Sequence, residues 1–154
     1  MGNFLSAFQV HIFPRDETAG LEEGVAQAGR EKLIVLISKI CNDYRGVAVD
    51  HAGDKLLYAF NNVNFASLAS VAIQIEADLL NVKNDLSPIC LASIGVVALI
   101  NPFTGTREEE RSVELALFMA DAAGAGELYL SEGAYKALKN PDLLLCRFTR
   151  QLMR

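Results

Sequence analysis

The segment Asp50–Asp54 places two carboxylates and an imidazole within a few positions of one another. Asp50, His51 and Asp54 carry these groups, and Gly53 lies between them. A turn of this composition can bind a divalent cation if a neighbouring strand supplies a third oxygen ligand. Asp and Gly are also the residues that turns favour for conformational reasons. The spacing favours a conformational role for these residues in the turn over a role as metal ligands, and both interpretations stay open.

Other catalytic signatures are absent from the sequence. It contains no G-x-x-x-x-G-K-[ST], G-x-G-x-x-G, G-x-S-x-G, H-E-x-x-H or C-x-x-C motif. Of its two histidines, His11 falls within a period-2 pattern, where a hydrogen-bonded structural histidine is the usual role. His51 belongs to the turn described above, which is therefore the main candidate for chemistry.

The elements that would position this turn follow from the hydropathy pattern. Apolar and polar residues alternate over residues 8–12 and predict a strand that ends at Pro14. Two short apolar runs, Val47–Val49 and Leu56–Phe60, flank the turn and predict a β-hairpin. The turn would then join two neighbouring strands of a sheet.

Helices are predicted where apolar residues recur at intervals of three and four. These intervals predict a first helix over residues 20–44 and a third that begins near Val113. The second helix has the most regular pattern, carried by Phe65, Leu68, Ala72, Ile75 and Leu79.

The β-branched run Ile89–Ile100 predicts one long strand, or a strand bent at Gly95. Glu127–Leu130 predicts a short strand, and Ser131 is the predicted N-cap of a last helix over Glu132–Lys139. The element order is βαββαβ followed by α, β and α. The first six elements are the ferredoxin-like arrangement, so the predicted fold class is α+β.

Composition limits the remaining possibilities. The 154 residues contain no linker or repeat and predict a single domain over residues 1–154. A net charge of −5 argues against a nucleic-acid partner. The three cysteines are widely spaced among apolar residues, which indicates reduced core thiols and a cytoplasmic location. The longest apolar run, Cys90–Ile100, is too short for a membrane span, so none is expected.

The segment Gly46–Phe60 resembles the glycine–strand–turn–Gly-Asp–strand hairpin of the class III adenylate and guanylate cyclase catalytic domains. Ile94–Val96 and Ala122–Glu132 extend the resemblance, the latter matching the family's Gly-x-Ile-x-x-Ser-Glu strand. It covers about residues 7–140. The resemblance implies a ferredoxin-like core with an added αβ unit, and an active site formed between two subunits.

In this family two aspartates hold two metal ions over the triphosphate, and the ribose 3′-hydroxyl attacks in line. Asp54 matches the second aspartate. The first should follow the opening strand as Phe-x-Asp, but here Phe13-Pro14 is followed by Arg15, with Asp16 one place later. Asp16 and Asp54 are therefore predicted as a vestigial metal pair. Arg15 would lie beside Asp54 and pair with it, or Asp54 would accept hydrogen bonds from turn amides.

Other functional positions also depart from the pattern that the resemblance implies. Asp50 replaces the base-recognition lysine, and Arg107 replaces an aspartate of the later motif. Glu114 and Phe118 replace the asparagine and arginine that orient the ribose and stabilise transition-state charge. Glu114 would repel phosphate, and Phe118 has no donor. No catalytic residue and no cofactor are therefore predicted.

The favoured hypothesis is a cyclase-like domain that has lost cyclisation and serves as a regulatory or dimerisation module in signalling. Its expected partner is a second copy or another cyclase-like domain, with nucleotide as a possible ligand. Ile89–Ile100 and the helix from Val113 are expected to supply the apolar partner surface. One alternative is an active cyclase that uses Asp16 and Asp54 with Mg²⁺ or Mn²⁺. The other is an unrelated ferredoxin-like interaction module, which would lack the αβ unit after residue 103.

Overall fold

The computed structural model describes residues 3–15, 20–49, 54–83, 88–99 and 107–139, with side chains from residue 110 in the last range. These residues form a mixed α+β fold. The elements in chain order are β1 (Phe4–Phe13), α1 (Glu23–Asp43), β2 (Val47–Ala48), β3 (Leu56–Phe60), α2 (Val63–Lys83), β4 (Ile89–Ala98), α3 (Arg107–Ala122), β5 (Leu128–Leu130) and α4 (Glu132–Ala137).

The strands form one five-stranded sheet in the order β2-β3-β1-β4-β5. The first four strands pair antiparallel and have the ferredoxin-like order, as the sequence predicts. β5 pairs parallel to β4, and α3 makes the crossover that a parallel pair requires. The predicted αβ unit after residue 103 is therefore present, and the ferredoxin-like alternative loses its distinguishing feature.

Helices cover both faces of the sheet. α1, α2 and α4 pack on one face, over a buried cluster that includes Phe8, Ile37, Ile73 and Ile94. α3 packs on the other face, over a smaller cluster centred on Leu5, which also includes Ala7, Leu57, Val97 and Met119. Because strand side chains alternate between the faces, β1 contributes Leu5 and Phe8 to different clusters.

β4 lies inside the sheet, between β1 and β5. It is one continuous strand, and its residues Ile94, Val96 and Val97 are fully buried. The expectation that Ile89–Ile100 supplies an exposed partner surface is therefore wrong for the described part of the strand. A strand covered by helices on both faces needs apolar side chains on both, which explains its long β-branched run.

The chain after α3 follows the sequence prediction closely. The strand expected over Glu127–Leu130 is β5, and the last helix begins after Ser131. The Ser131 hydroxyl oxygen accepts a hydrogen bond from the Ala134 amide at 3.2 Å, which is the predicted N-cap contact. The end of α4 lies at Ala137, two residues before the predicted end.

Candidate functional site

The hairpin that carries the candidate metal ligands consists of β2 and β3, which pair antiparallel. Asp54 lies just before β3, and its side chain is exposed. Residues 50–53 fall outside the described part of the chain, so Asp50 and His51 as ligands stay a prediction. Asp16 also falls outside it, and its pairing with Asp54 stays a prediction as well.

The pairing of β1 with β3, extended beyond its last pair, indicates which residue of β1 lies nearest Asp54. The last paired residues are Phe8 and Leu56. Continuing this antiparallel register by two residues sets Val10 opposite Asp54. Directly opposite residues have their Cβ atoms about 5 Å apart on the same face of a sheet. Val10 is half-buried and packs against the cluster under α1 and α2.

Arg15 lies away from Asp54. It follows the end of β1 by two residues, and the three strand residues after Val10 carry the chain about 10 Å further along the sheet. Its guanidinium donates a hydrogen bond to the Asn81 carbonyl oxygen near the end of α2. The expected contact between Arg15 and Asp54 is therefore wrong. Within the described ranges, Asp54 forms no ion pair or hydrogen bond.

A different cation lies next to Asp54 along the chain. The ammonium of Lys55 forms an ion pair with Asp121 of α3, at 3.1 Å. The Lys55 side chain is only 15% exposed, whereas that of Asp121 is 56% exposed. This pair ties the start of β3 to the C-terminal half of α3.

Two of the positions that depart from the family pattern lie on α3, and the structure describes their side chains. Phe118 is partly buried and packs against the apolar cluster that contains Leu5 and Ala7. Glu114, one helical turn earlier, is exposed. Arg107 is the first residue of α3, and its side chain falls outside the described atoms. The helix therefore presents an exposed carboxylate and a partly buried ring where the resemblance implies an asparagine and an arginine.

His11 has the structural role that its position in a strand predicts. Its Nε2 lies 2.9 Å from the Ser93 hydroxyl, and that hydroxyl donates to the Ala120 carbonyl oxygen at 2.7 Å. The His11 ring also stacks on Phe13, with the two ring planes 6° apart. Because the Ser93 proton is used by a backbone carbonyl, Ser93 is not activated as a nucleophile by His11.

The described residues do not fit a site for two metal ions. Among them, no group of three His, Cys, Asp or Glu side chains converges. The register neighbour of Asp54 is an apolar side chain, and the next residue along the chain is a lysine. Divalent ions of this kind need several oxygen ligands, which Val10 and Lys55 do not supply.

Comparison with solved structures supports the fold assignment. The chain is similar to an adenylate/guanylate cyclase/hydrolase from Silicibacter pomeroyi, at 13% identity and a TM-score of 0.59, covering 86% of this chain and 78% of that one. It is similar to the adenylyl cyclase CyaB from P. aeruginosa, at 19% identity and a TM-score of 0.57, covering 89% and 81%. It is also similar to a dimeric guanylyl cyclase domain of a RhoGC fusion protein from Blastocladiella emersonii, at 17% identity and a TM-score of 0.60, covering 90% and 84%.

No protein-family model matches the chain, and no curated protein matches it. The structural likeness establishes that the chain has the fold of adenylate and guanylate cyclase catalytic domains. The family resemblance of the sequence is thus confirmed at the level of the fold.

Sequence reasoning missed Val10 as a site position. Val10 and Arg15 each lie two residues after a phenylalanine, where the family spacing Phe-x-Asp has its aspartate; the first match is Phe8-Gln9-Val10 and the second is Phe13-Pro14-Arg15. A strand that ends at Pro14 places Arg15 after the strand, so the sequence pattern favours the second match. The strand register, which a single sequence does not specify, favours the first match.

Proposed function

We propose that this chain is a cyclase-like domain that does not cyclise nucleotides and acts as a regulatory or dimerisation module in signalling. The observation that carries the proposal is the packing of the partly buried Phe118 against the apolar cluster under α3. At that position the resemblance implies an arginine that stabilises transition-state charge. A phenyl ring has no hydrogen-bond donor and cannot replace it.

The metal side of the site supports the same proposal. Asp54 is exposed and faces Val10 across the sheet by register, so the second carboxylate is missing at that position. Among the described residues, no group of three His, Cys, Asp or Glu side chains converges to hold a divalent cation. No cofactor is therefore expected. The proposed location is the cytoplasm, and the proposed partner is a second copy or another cyclase-like domain.

The proposal is tested by assaying the whole chain with ATP and with GTP, in Mg²⁺ and in Mn²⁺, beside an active class III cyclase. Losing one oriented transition-state donor costs about 10²–10³ in rate, so the chain should form no cyclic nucleotide above the blank. Cyclic nucleotide formation that Asp54→Ala abolishes would overturn the proposal. Asp43→Ala is the matched control, because Asp43 is an exposed carboxylate at the end of α1.

The second candidate function is an active cyclase with a shifted metal pair, Asp16 and Asp54. The exposure of Asp54 favours it, because this carboxylate is open to solvent and to a bound ion. In that case Mg²⁺ or Mn²⁺ would be the required ion. Asp16→Ala would then abolish activity as completely as Asp54→Ala does.

A further inference from the structure

α2 carries a continuous apolar row on its outward face. Its members recur at intervals of three and four residues, and all but Ala72 are exposed: Phe65, Leu68, Ala72, Ile75, Leu79 and Val82. The opposite face packs on the sheet through smaller side chains, among them Ala66, Ala69 and Ala77. The helix is thus apolar on both sides, and the larger side chains lie on the outside.

The size of this outward row indicates a binding surface. The five exposed fractions run from 37% for Phe65 to 76% for Val82. They correspond to roughly 500 Å², near the upper end of the largest apolar patch on an ordinary monomer. Scattered exposed apolar residues are ordinary, but a continuous row of this length marks a partner surface.

The spacing of the row is that of a coiled-coil seam. In heptad notation, position a is occupied by Phe65, Ala72 and Leu79, and position d is occupied by the other three members of the row. In this frame Asp78 is a g residue and Lys83 is the e residue five positions later. Both side chains are exposed. In a parallel pair of identical helices, g of one helix faces e of the next heptad on the other, so two symmetric Asp–Lys pairs would flank the seam.

We propose that the outward row of α2 is the docking face for α2 of a second copy of this chain, in a parallel two-fold pair. The inference deepens the dimerisation role proposed above and gives that role a surface. A two-fold interface brings the same patch of both copies together, which a self-complementary row satisfies. A standard interface buries about 800 Å² per partner, and this smaller one falls in the class of weak, reversible interfaces.

A lipid surface is the other occupant that an apolar helix suggests, since α2 is long and apolar enough to cross a membrane. Its charges argue against that occupant. Helices that lie on membranes carry Lys and Arg on their polar face. α2 has one lysine against Glu76 and Asp78, and the chain carries a net charge of −5. Acidic groups beside the row are repelled by anionic lipid.

Sedimentation of the full chain from about 1 to about 100 µM tests the pairing. The unmodified chain should show a monomer–dimer equilibrium. Ile75→Glu introduces two facing carboxylates at the centre of the seam and should weaken association at least about tenfold. Val47→Glu is the matched control, because Val47 is 65% exposed on β2, away from α2. It should leave association unchanged. Melting curves establish that both variants are folded.

Charge exchange tests the parallel orientation. Asp78→Lys places two lysines opposite each other on each flank of the seam and should weaken the dimer. Adding Lys83→Asp to the same chain should restore it. A chain that stays monomeric up to about 100 µM overturns the proposal. A dimer that Ile75→Glu leaves intact also overturns the proposal. Flotation of the chain with anionic vesicles that Ile75→Glu abolishes overturns it in favour of a lipid surface. None of these outcomes depends on nucleotide cyclisation, whose appearance would overturn the proposed function instead.

Discussion

The backbone of Gly95 in β4 lies directly against the backbone of Ala116 in α3. A Cβ atom added at Gly95 would lie 2.8 Å from the Ala116 carbonyl oxygen. It would also lie 2.8 Å from the Ala120 amide nitrogen, so helix backbone blocks it on two sides. This approach fixes how closely α3 packs on the sheet, and with it the position of Phe118.

Gly95→Ala is therefore expected to destabilise the fold. The contact is with backbone, which cannot move aside as the end of a flexible side chain can. Overpacking of this kind costs about 1–3 kcal/mol. Urea unfolding followed by circular dichroism measures the change.

Gly24→Ala is the matched control for Gly95→Ala. A Cβ atom at Gly24 would meet no atom within 4 Å. Alanine is favoured over glycine in a helix, so this variant should be unchanged or more stable by up to about 1 kcal/mol. Equal destabilisation of both variants would show that the approach of Gly95 to α3 is not tight.

The fold could be predicted largely from the sequence because its strands and helices have different hydropathy periods. The period-2 pattern of residues 8–12 and the regular spacing in α2 gave the right elements. The direction in which α2 faces could not be predicted in this way. Large apolar side chains usually mark the core side, but here Ala66 and Ala69 let the helix lie close to the sheet, and Ile75 faces outward.

The candidate site was harder to predict than the fold, because site residues meet through strand register. Arg15 and Val10 both lie two residues after a phenylalanine, and the local pattern, a strand that ends at Pro14, favours Arg15. The pairing of Phe8 with Leu56, continued by two residues, favours Val10 instead. The lack of a hydrogen-bond donor at Phe118 was predictable, since a phenylalanine has none whatever its surroundings.

Stability should fall with rising pH through the ionisation of Cys41. Burial raises the pKa of this thiol from 9.0 to about 12. Between these values the unfolded chain releases a proton that the folded chain keeps, so unfolding is favoured as the pH rises. The stabilising effect is complete below pH 9 and is lost towards pH 12. The slope is at most about 1.4 kcal/mol per pH unit for one proton.

The measurement is urea unfolding at a series of pH values from 8 upwards, for the unmodified chain and for Cys41→Ala. The variant lacks the thiol, so its free energy of unfolding should fall less steeply with pH above pH 9. Its free energy of unfolding at pH 8 should be lower than that of the unmodified chain, because the substitution removes a buried side-chain atom. Burial also raises the pKa of Cys90, while Lys32 and Arg15 nearby lower it. Identical slopes for both chains would show that Cys41 is not the group responsible.

The last prediction concerns which substitution rebuilds a carboxylate pair with Asp54. The register places Val10 opposite Asp54, whereas the guanidinium of Arg15 binds the end of α2. Val10→Asp should therefore create two neighbouring carboxylates and strengthen Mn²⁺ binding at least about tenfold, as two ligands on one ion do in Mg²⁺-type sites. Arg15→Asp should change it little.

Calorimetric titration measures the Mn²⁺ affinity of both variants. Val10→Asn is the control for side-chain shape, because asparagine is similar in size to aspartate but uncharged. Val10 is half-buried, so melting curves must show that Val10→Asp is folded before its affinity is interpreted. Stronger binding by Arg15→Asp than by Val10→Asp would show that the register does not extend to Asp54. Binding of Mn²⁺ by the unmodified chain with a micromolar dissociation constant would instead mean that the site still binds metal. That result would support the alternative of an active cyclase.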